Sequence, residues 1–259
     1  MQDEFSGDRD TCRGQGLAQR RPNPQWLLSI RGPAEWPIAI RSGAHVIDFK
    51  EPRQGPLAPV DPDIWRWAAD QPDCPALLSA ALGEPSDALE IAGKVPAEFH
   101  FAKMGPSGCD TREKLVENWS RVRECLDGEV ELVAVAYADD AGCVDVESVI
   151  AAAHTFGIER VLVDTFGKDG QSSIDHLGTD RLNRIGRQVA ELGMWWALAG
   201  SIKLAAIDRL AAEGIFPDCF GVRGDVCGGG REGSIETERV SRWNQAIKKR
   251  PDLQNASQL

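Results

Sequence analysis

Eight apolar runs, at 26–30, 45–50, 76–82, 98–105, 130–137, 160–164, 194–201 and 217–222, punctuate the chain at fairly even intervals. They are short, and several are apolar at consecutive positions, which is how strands buried on both faces read. Between them lie stretches of helical spacing at 33–42, 63–69, 85–92, 111–126, 146–156, 174–192 and 203–213, with a last one at 235–247. Leu115, Trp119, Val122 and Leu126, for example, fall on one helical face. Gly43, Gly157 and Gly214 stand where three of these helices should stop. Strands that alternate with helices predict parallel pairing through crossover helices. Eight such units close a (β/α)8 TIM barrel, which commonly takes about 250 residues. A doubly wound open sheet is the competitor, but its dinucleotide-binding form needs G-x-G-x-x-G after the first strand, and none follows Ile30. The expectation is a single α/β barrel domain over 25–249, with a flexible arm at 1–24 and a flexible tail at 250–259.

Composition narrows the partners. The formal charge is −11 with no basic stripe to offset it, so a nucleic-acid partner is not expected. Hydrophobic residues make up 42% and charged residues 27%, the balance of a soluble domain, and no apolar stretch is long enough to predict a membrane span. The first residues, Met1 to Phe5, are acidic and lack the pattern of a signal peptide. Seven cysteines, an odd number, are scattered without a C-x-x-C pair and read as reduced thiols of a cytoplasmic protein. His45, His100, His154 and His176 show no ligand spacing, so no metal site is predicted. The eight tryptophans read as core and helix-packing residues.

The chemistry gathers at strand ends. The sixth run finishes on Asp164 and is followed by Lys168, Asp169 and Gly170; the second carries Asp48 and Lys50, two apart and hence on one face; the fourth carries Lys103. In a barrel, the carboxyl ends of the strands are where active sites lie. Any one of these lysines could be half of a structural ion pair, with Asp48 and Asp164 as partners. Three converging on one mouth favour amine chemistry on a carbonyl substrate. A free lysine has a pKa of about 10.4 and is protonated at neutral pH, whereas a second ammonium or burial lowers it and releases the lone pair for Schiff-base formation. The aspartates would then move protons.

A phosphate site is predicted from the last two loops. Gly200 and Ser201 follow the seventh run and Arg223 and Gly224 follow the eighth, the positions where barrels often hold phosphate on backbone N–H groups. Arg223 adds a guanidinium fork. The segment Cys227-Gly228-Gly229-Gly230-Arg231 either extends this cradle or is a linker. Tyr137, the single tyrosine, closes the fifth run, where its hydroxyl reaches the site or its ring simply packs.

Taken in order, Asp48-Phe49-Lys50, Asp164-Thr165-x-x-Lys168-Asp169-Gly170, Ala199-Gly200-Ser201-Ile202-Lys203 and Val222-Arg223-Gly224 resemble the (5-formylfuran-3-yl)methyl phosphate synthase family of methanofuran biosynthesis. The similarity extends from about Leu27 to Val240. It implies a (β/α)8 lyase that condenses two molecules of glyceraldehyde 3-phosphate into a furan aldehyde phosphate, losing phosphate and water, with no cofactor. Lys50 matches the Schiff-base lysine of that family and Asp48 stands beside it; Lys103, Asp164 and Lys168 match its other catalytic residues. A triose phosphate is the implied partner, and a homo-oligomer is left open. The chain departs from the pattern at Asp225, which brings a negative charge next to the expected phosphate loop, where a small residue was expected. A class I aldolase-like enzyme on another sugar phosphate, or a barrel that binds a phosphometabolite without turnover, are the alternatives.

Overall fold

In this computed structural model the structure describes residues 23–139, 142–167 and 170–249. Of the expected arm only 23 and 24 are described; the tail at 250–259, and Lys168 with Asp169, lie outside the described residues. The strands are β1 (Gln25–Ile30), β2 (Val46–Phe49), β3 (Leu77–Ala81), β4 (Phe101–Met104), β5 (Glu131–Tyr137), β6 (Arg160–Asp164), β7 (Trp195–Leu198) and β8 (Cys219–Val222). The helices are α1 (Trp36–Ala39), α2 (Pro62–Ala69), α3 (Pro85–Ile91), α4 (Arg112–Cys125), α5 (Val146–Phe156), α6 (Ser173–Glu191), α7 (Ala206–Ala212) and α8 (Thr237–Lys248). The strands pair in parallel in chain order and β8 returns to β1, giving a closed barrel. The expected (β/α)8 architecture is the one the chain forms.

Alternation along each strand splits the apolar residues into two cores. Outward residues such as Leu28, Ile47, Ala134 and Val163 pack with the helices in the larger cluster, where Trp26, Trp65, Trp119 and Trp243 are fully buried. Inward residues such as Leu27, Val46, Val133, Leu162, Ala197 and Cys219 form the smaller cluster inside the barrel. His45 and His100 are structural: at the feet of β2 and β4, their Nδ1 atoms accept the backbone N–H groups of Trp26 and Leu78.

Element ends differ from the sequence reading where loops take over. The run at 98–105 becomes a strand only at Phe101, because Phe99 turns to pack on Phe49 and Trp65 outside the barrel. The run at 194–201 stops as a strand at Leu198, since Gly200 and Ser201 take φ of +80° and +57° and turn the chain over the barrel mouth. Gly200 is obligatory: a Cβ there would overlap Ser173 Oγ and sit 2.9 Å from Thr165 Cγ2. The helix read at 33–42 shortens to Trp36–Ala39, and residues 224–226 add a 3-10 turn that periodicity does not reveal.

Candidate active site

Inward positions near the carboxyl ends of β1, β2, β4 and β6 place Ser29, Asp48, Lys50, Lys103 and Asp164 around one cavity, and the β7 and β8 loops add Gly200, Ser201, Arg223 and Gly224 to its wall. All the predicted site residues among the described ones therefore face a common space. Strand register explains part of this, because Ser29 pairs alongside Asp48 and Asp48 alongside Ser79.

The two lysines differ in how tightly they are held. Lys103 Nζ lies 2.5 Å from Asp48 Oδ1, and its side chain is 3% exposed. The other Asp48 oxygen accepts the Ser29 hydroxyl at 3.0 Å. Burial, aided by the Lys50 charge, holds the Lys103 ammonium below its usual range against the attraction of Asp48. Lys50 is less confined: its Nζ is 3.9 Å from Asp164 Oδ2, beyond a hydrogen bond, and its side chain is 14% exposed. Asp164 Oδ1 is fixed by the Thr165 N–H at 2.8 Å, which leaves Oδ2 for the lysine. The arrangement thus holds one locked amine and one reachable amine with a carboxylate beside it.

Arg223 is placed at the site, but its donors are already used. Nη1 and Nη2 bond Glu35 at 2.6 and 2.9 Å, Nη1 also reaches the Ser29 carbonyl at 3.1 Å, Nη2 the Gly233 carbonyl at 2.8 Å, and Nε the Arg231 carbonyl at 3.0 Å. With all five N–H donors of the guanidinium taken, Arg223 ties the glycine-rich segment to β1 rather than presenting a fork to phosphate. Unspent donors at the cavity wall belong to the backbone: Ser201 and Gly224 line it, and their N–H groups have no acceptor among the described residues. Arg231, whose side chain lines the cavity and has no ion-pair partner among the described residues, supplies a cation there. The end of its segment is therefore part of the cavity wall. Asp225 faces away, its Oδ2 accepting Leu204 N–H at 2.9 Å and Trp243 Nε1–H at 2.8 Å, so the charge that stood against phosphate binding is turned toward α8.

Glu35 is invisible to motif reading, yet it neutralises Arg223. Burial pushes its carboxyl up, but the Arg223 hydrogen bonds and charge, with the N–H and charge of Arg31, outweigh that and hold it below its ordinary 4.5. A depressed carboxylate contributes stability that is complete above about pH 4.5 and is lost as pH falls through the lower folded-state value. Melting curves on acidification should therefore show a falling transition temperature in the native protein, with a shallower fall in Glu35→Gln.

Two further polar pairs frame the mouth. Tyr137 donates its hydroxyl to Glu84 Oε1 at 2.5 Å, and burial followed by the Glu84 charge raises its pKa, so it stays protonated. Its hydroxyl is thereby committed to Glu84, and its ring lies 5.3 Å from Phe166. A Cβ on Gly105 would overlap both Glu84 and this hydroxyl, which is why glycine follows β4. Asp139 accepts the N–H groups of Phe166 and Gly167 at 2.7 Å each, fixing the loop that leads to Lys168.

Comparison with known proteins gives a consistent picture. The sequence profile of a family described as 4-HFC-P synthase matches residues 26–244. The chain is 30% identical over 226 residues to a (5-formylfuran-3-yl)methyl phosphate synthase of Methanosarcina barkeri, covering 83% of this chain and 96% of that protein. It is likewise 31% identical over 226 residues to one of Methanococcus aeolicus, covering 83% and 95%. Among solved structures, a phosphoribosyl anthranilate isomerase from Thermus thermophilus superposes with a TM-score of 0.56 at 14% identity, over 86% of this chain and 98% of that one, which shows the shared fold.

Proposed function

Because this chain belongs to the 4-HFC-P synthase family, we propose that it condenses two molecules of glyceraldehyde 3-phosphate into (5-formylfuran-3-yl)methyl phosphate, the product in the names of its relatives, as a step of methanofuran-type carrier synthesis. The observation that carries the reading is the contrast between a locked Lys103–Asp48 pair and a reachable Lys50 beside Asp164 in one cavity.

In this reading the Lys50 amine attacks the carbonyl carbon of the first triose phosphate, and the carbinolamine expels water to give an iminium ion. Loss of a proton from the adjacent carbon gives an enaminol, which expels the phosphate of that triose and leaves an enol. The terminal carbon of this enol adds to the central carbonyl of the second triose phosphate, after a proton shift between adjacent carbons has converted that molecule to its keto form. The terminal hydroxyl of the second unit closes on the ketone of the first, two waters are lost to form the furan, and water releases the imine from Lys50 as the formyl group. Asp164, next to the Lys50 nitrogen, exchanges protons with the nitrogen and its adjacent carbon. The Lys103–Asp48 pair serves the leaving hydroxyl, and Lys168 contributes a further acid–base group.

The retained phosphate sits on the N–H groups of Gly200, Ser201 and Gly224, with Arg231 closing over it, while Arg223 and Glu35 shape the loop. Arg231→Ala should then lower kcat/KM for glyceraldehyde 3-phosphate by about 10- to 100-fold, the weight of a charge-assisted hydrogen bond. The loss should appear mainly in KM, and steady-state kinetics with and without the substitution checks it.

The reading as a whole is tested by incubating the protein with glyceraldehyde 3-phosphate and following ultraviolet absorbance, released phosphate and product mass. A conjugated furan aldehyde phosphate, with one phosphate freed for each product, is the expected outcome. A condensation product without the furan chromophore would instead indicate aldolase chemistry, and thermal stabilisation without turnover a binding role.

A further inference from the structure

A second cavity, of about 310 Å³, lies inside the lower half of the barrel. TIM barrels usually fill this space with layers of bulky branched side chains. Here two of the inward positions are Ser79 and Ala197, too small to reach across. The cavity opens between the first residues of β1, β3, β6 and β7, where Leu77 is 38% exposed, so it faces the end opposite the candidate active site.

We propose that this cavity is a binding site for a small carboxylate carried on a single apolar ring. Three independent features specify that chemistry. Its wall is largely apolar, with Leu27, Val46, Val133 and Leu162 inside, and its volume exceeds the roughly 150 Å³ that suffices for a benzene-sized guest. At the mouth, Arg160 lies over the rings of Phe101 and Trp195, 5.2 and 5.0 Å from their centroids. Only its Nε is spent, on Glu131 at 2.9 Å, and its two Nη groups have no acceptor among the described residues, leaving a fork for a carboxylate. Within the wall, Ser79 Oγ is buried and has no hydrogen-bond partner among the described residues, a condition that a polar substituent on the guest would relieve.

The guest therefore enters ring first, holds its carboxylate on Arg160, and gains most when a hydroxyl on the far side of the ring reaches Ser79. Lys103 lines both this cavity and the upper one, so an occupant would pack beneath the residue that anchors Asp48.

Calorimetric titration of the full-length protein with 4-hydroxybenzoate, in inorganic phosphate sufficient to saturate the upper site, tests the proposal. Saturable one-to-one binding is expected, with benzoate weaker by several-fold. Arg160→Gln should weaken 4-hydroxybenzoate by about 10- to 100-fold, and Ser79→Ala should bring it to the level of benzoate. Leu77→Glu, an exposed position that places a negative charge at the mouth, provides a variant expected to fold normally and lose binding. Absence of saturable binding, binding abolished by phosphate, or binding that Arg160→Gln and Leu77→Glu leave unchanged would each overturn it. The readout is binding alone, so it stands apart from the reaction proposed above.

Discussion

Lys50→Ala is expected to lower turnover of glyceraldehyde 3-phosphate by more than roughly 10³-fold while leaving the melting temperature nearly unchanged. The covalent route disappears with the amine, and what remains is acid–base assistance of the kind that contributes about 10²–10⁴-fold on its own. Stability should survive because Lys50 stands 3.9 Å from Asp164, too far for a hydrogen bond, and its side chain is partly exposed. Asp164 keeps its bond from the Thr165 N–H in the variant. Kinetics paired with thermal melts separate the two effects. A variant with unchanged turnover would remove Lys50 from the chemistry, and a large drop in melting temperature would make its role structural.

Lys103→Met should behave in the opposite way, as a loss of stability as well as of activity. Asp48 is fully buried, and without the ammonium 2.5 Å away its carboxylate would keep, among the described residues, only the Ser29 hydroxyl. Removing one partner of a buried ion pair destabilises a protein by about 3–5 kcal/mol, because the other charge is left uncompensated. In a domain of this size that lowers the melting temperature by roughly 6–20 °C. The double variant Asp48→Asn with Lys103→Met should recover part of the loss, since it removes both charges, and the double-mutant cycle then isolates the coupling. If the single and double variants melt alike, the pair contributes nothing as a pair.

Much of the barrel could be read from the chain because strand and helix periods are local. Asp48 and Lys50, two residues apart on a strand, had to share a face, and Asp164 had to end its strand at the same mouth as Lys103 once eight parallel strands closed. What local patterning could not supply was pairing across the fold. Glu35 lies 188 residues from Arg223, and nothing near either residue announces that the guanidinium is already occupied. The same applies to Asp139, which holds the backbone of Phe166 and Gly167 from 27 and 28 residues away. The direction of Asp225 is hidden from the sequence for a related reason: adjacency to the phosphate loop says nothing of direction, and the 3-10 turn at Gly224–Val226 swings its carboxylate toward Trp243. Arg231 became visible as a candidate phosphate ligand only when the Arg223 bonds folded the glycine segment over the cavity.

The proposed reaction turns on a covalent bond between the Lys50 amine and a triose phosphate. Borohydride reduction in the presence of glyceraldehyde 3-phosphate, followed by peptide mass mapping, addresses it directly. A stable adduct confined to the peptide that contains Lys50, and absent from Lys50→Ala, is expected. An adduct on Lys103 instead, or no adduct in a protein that turns the substrate over, would contradict it.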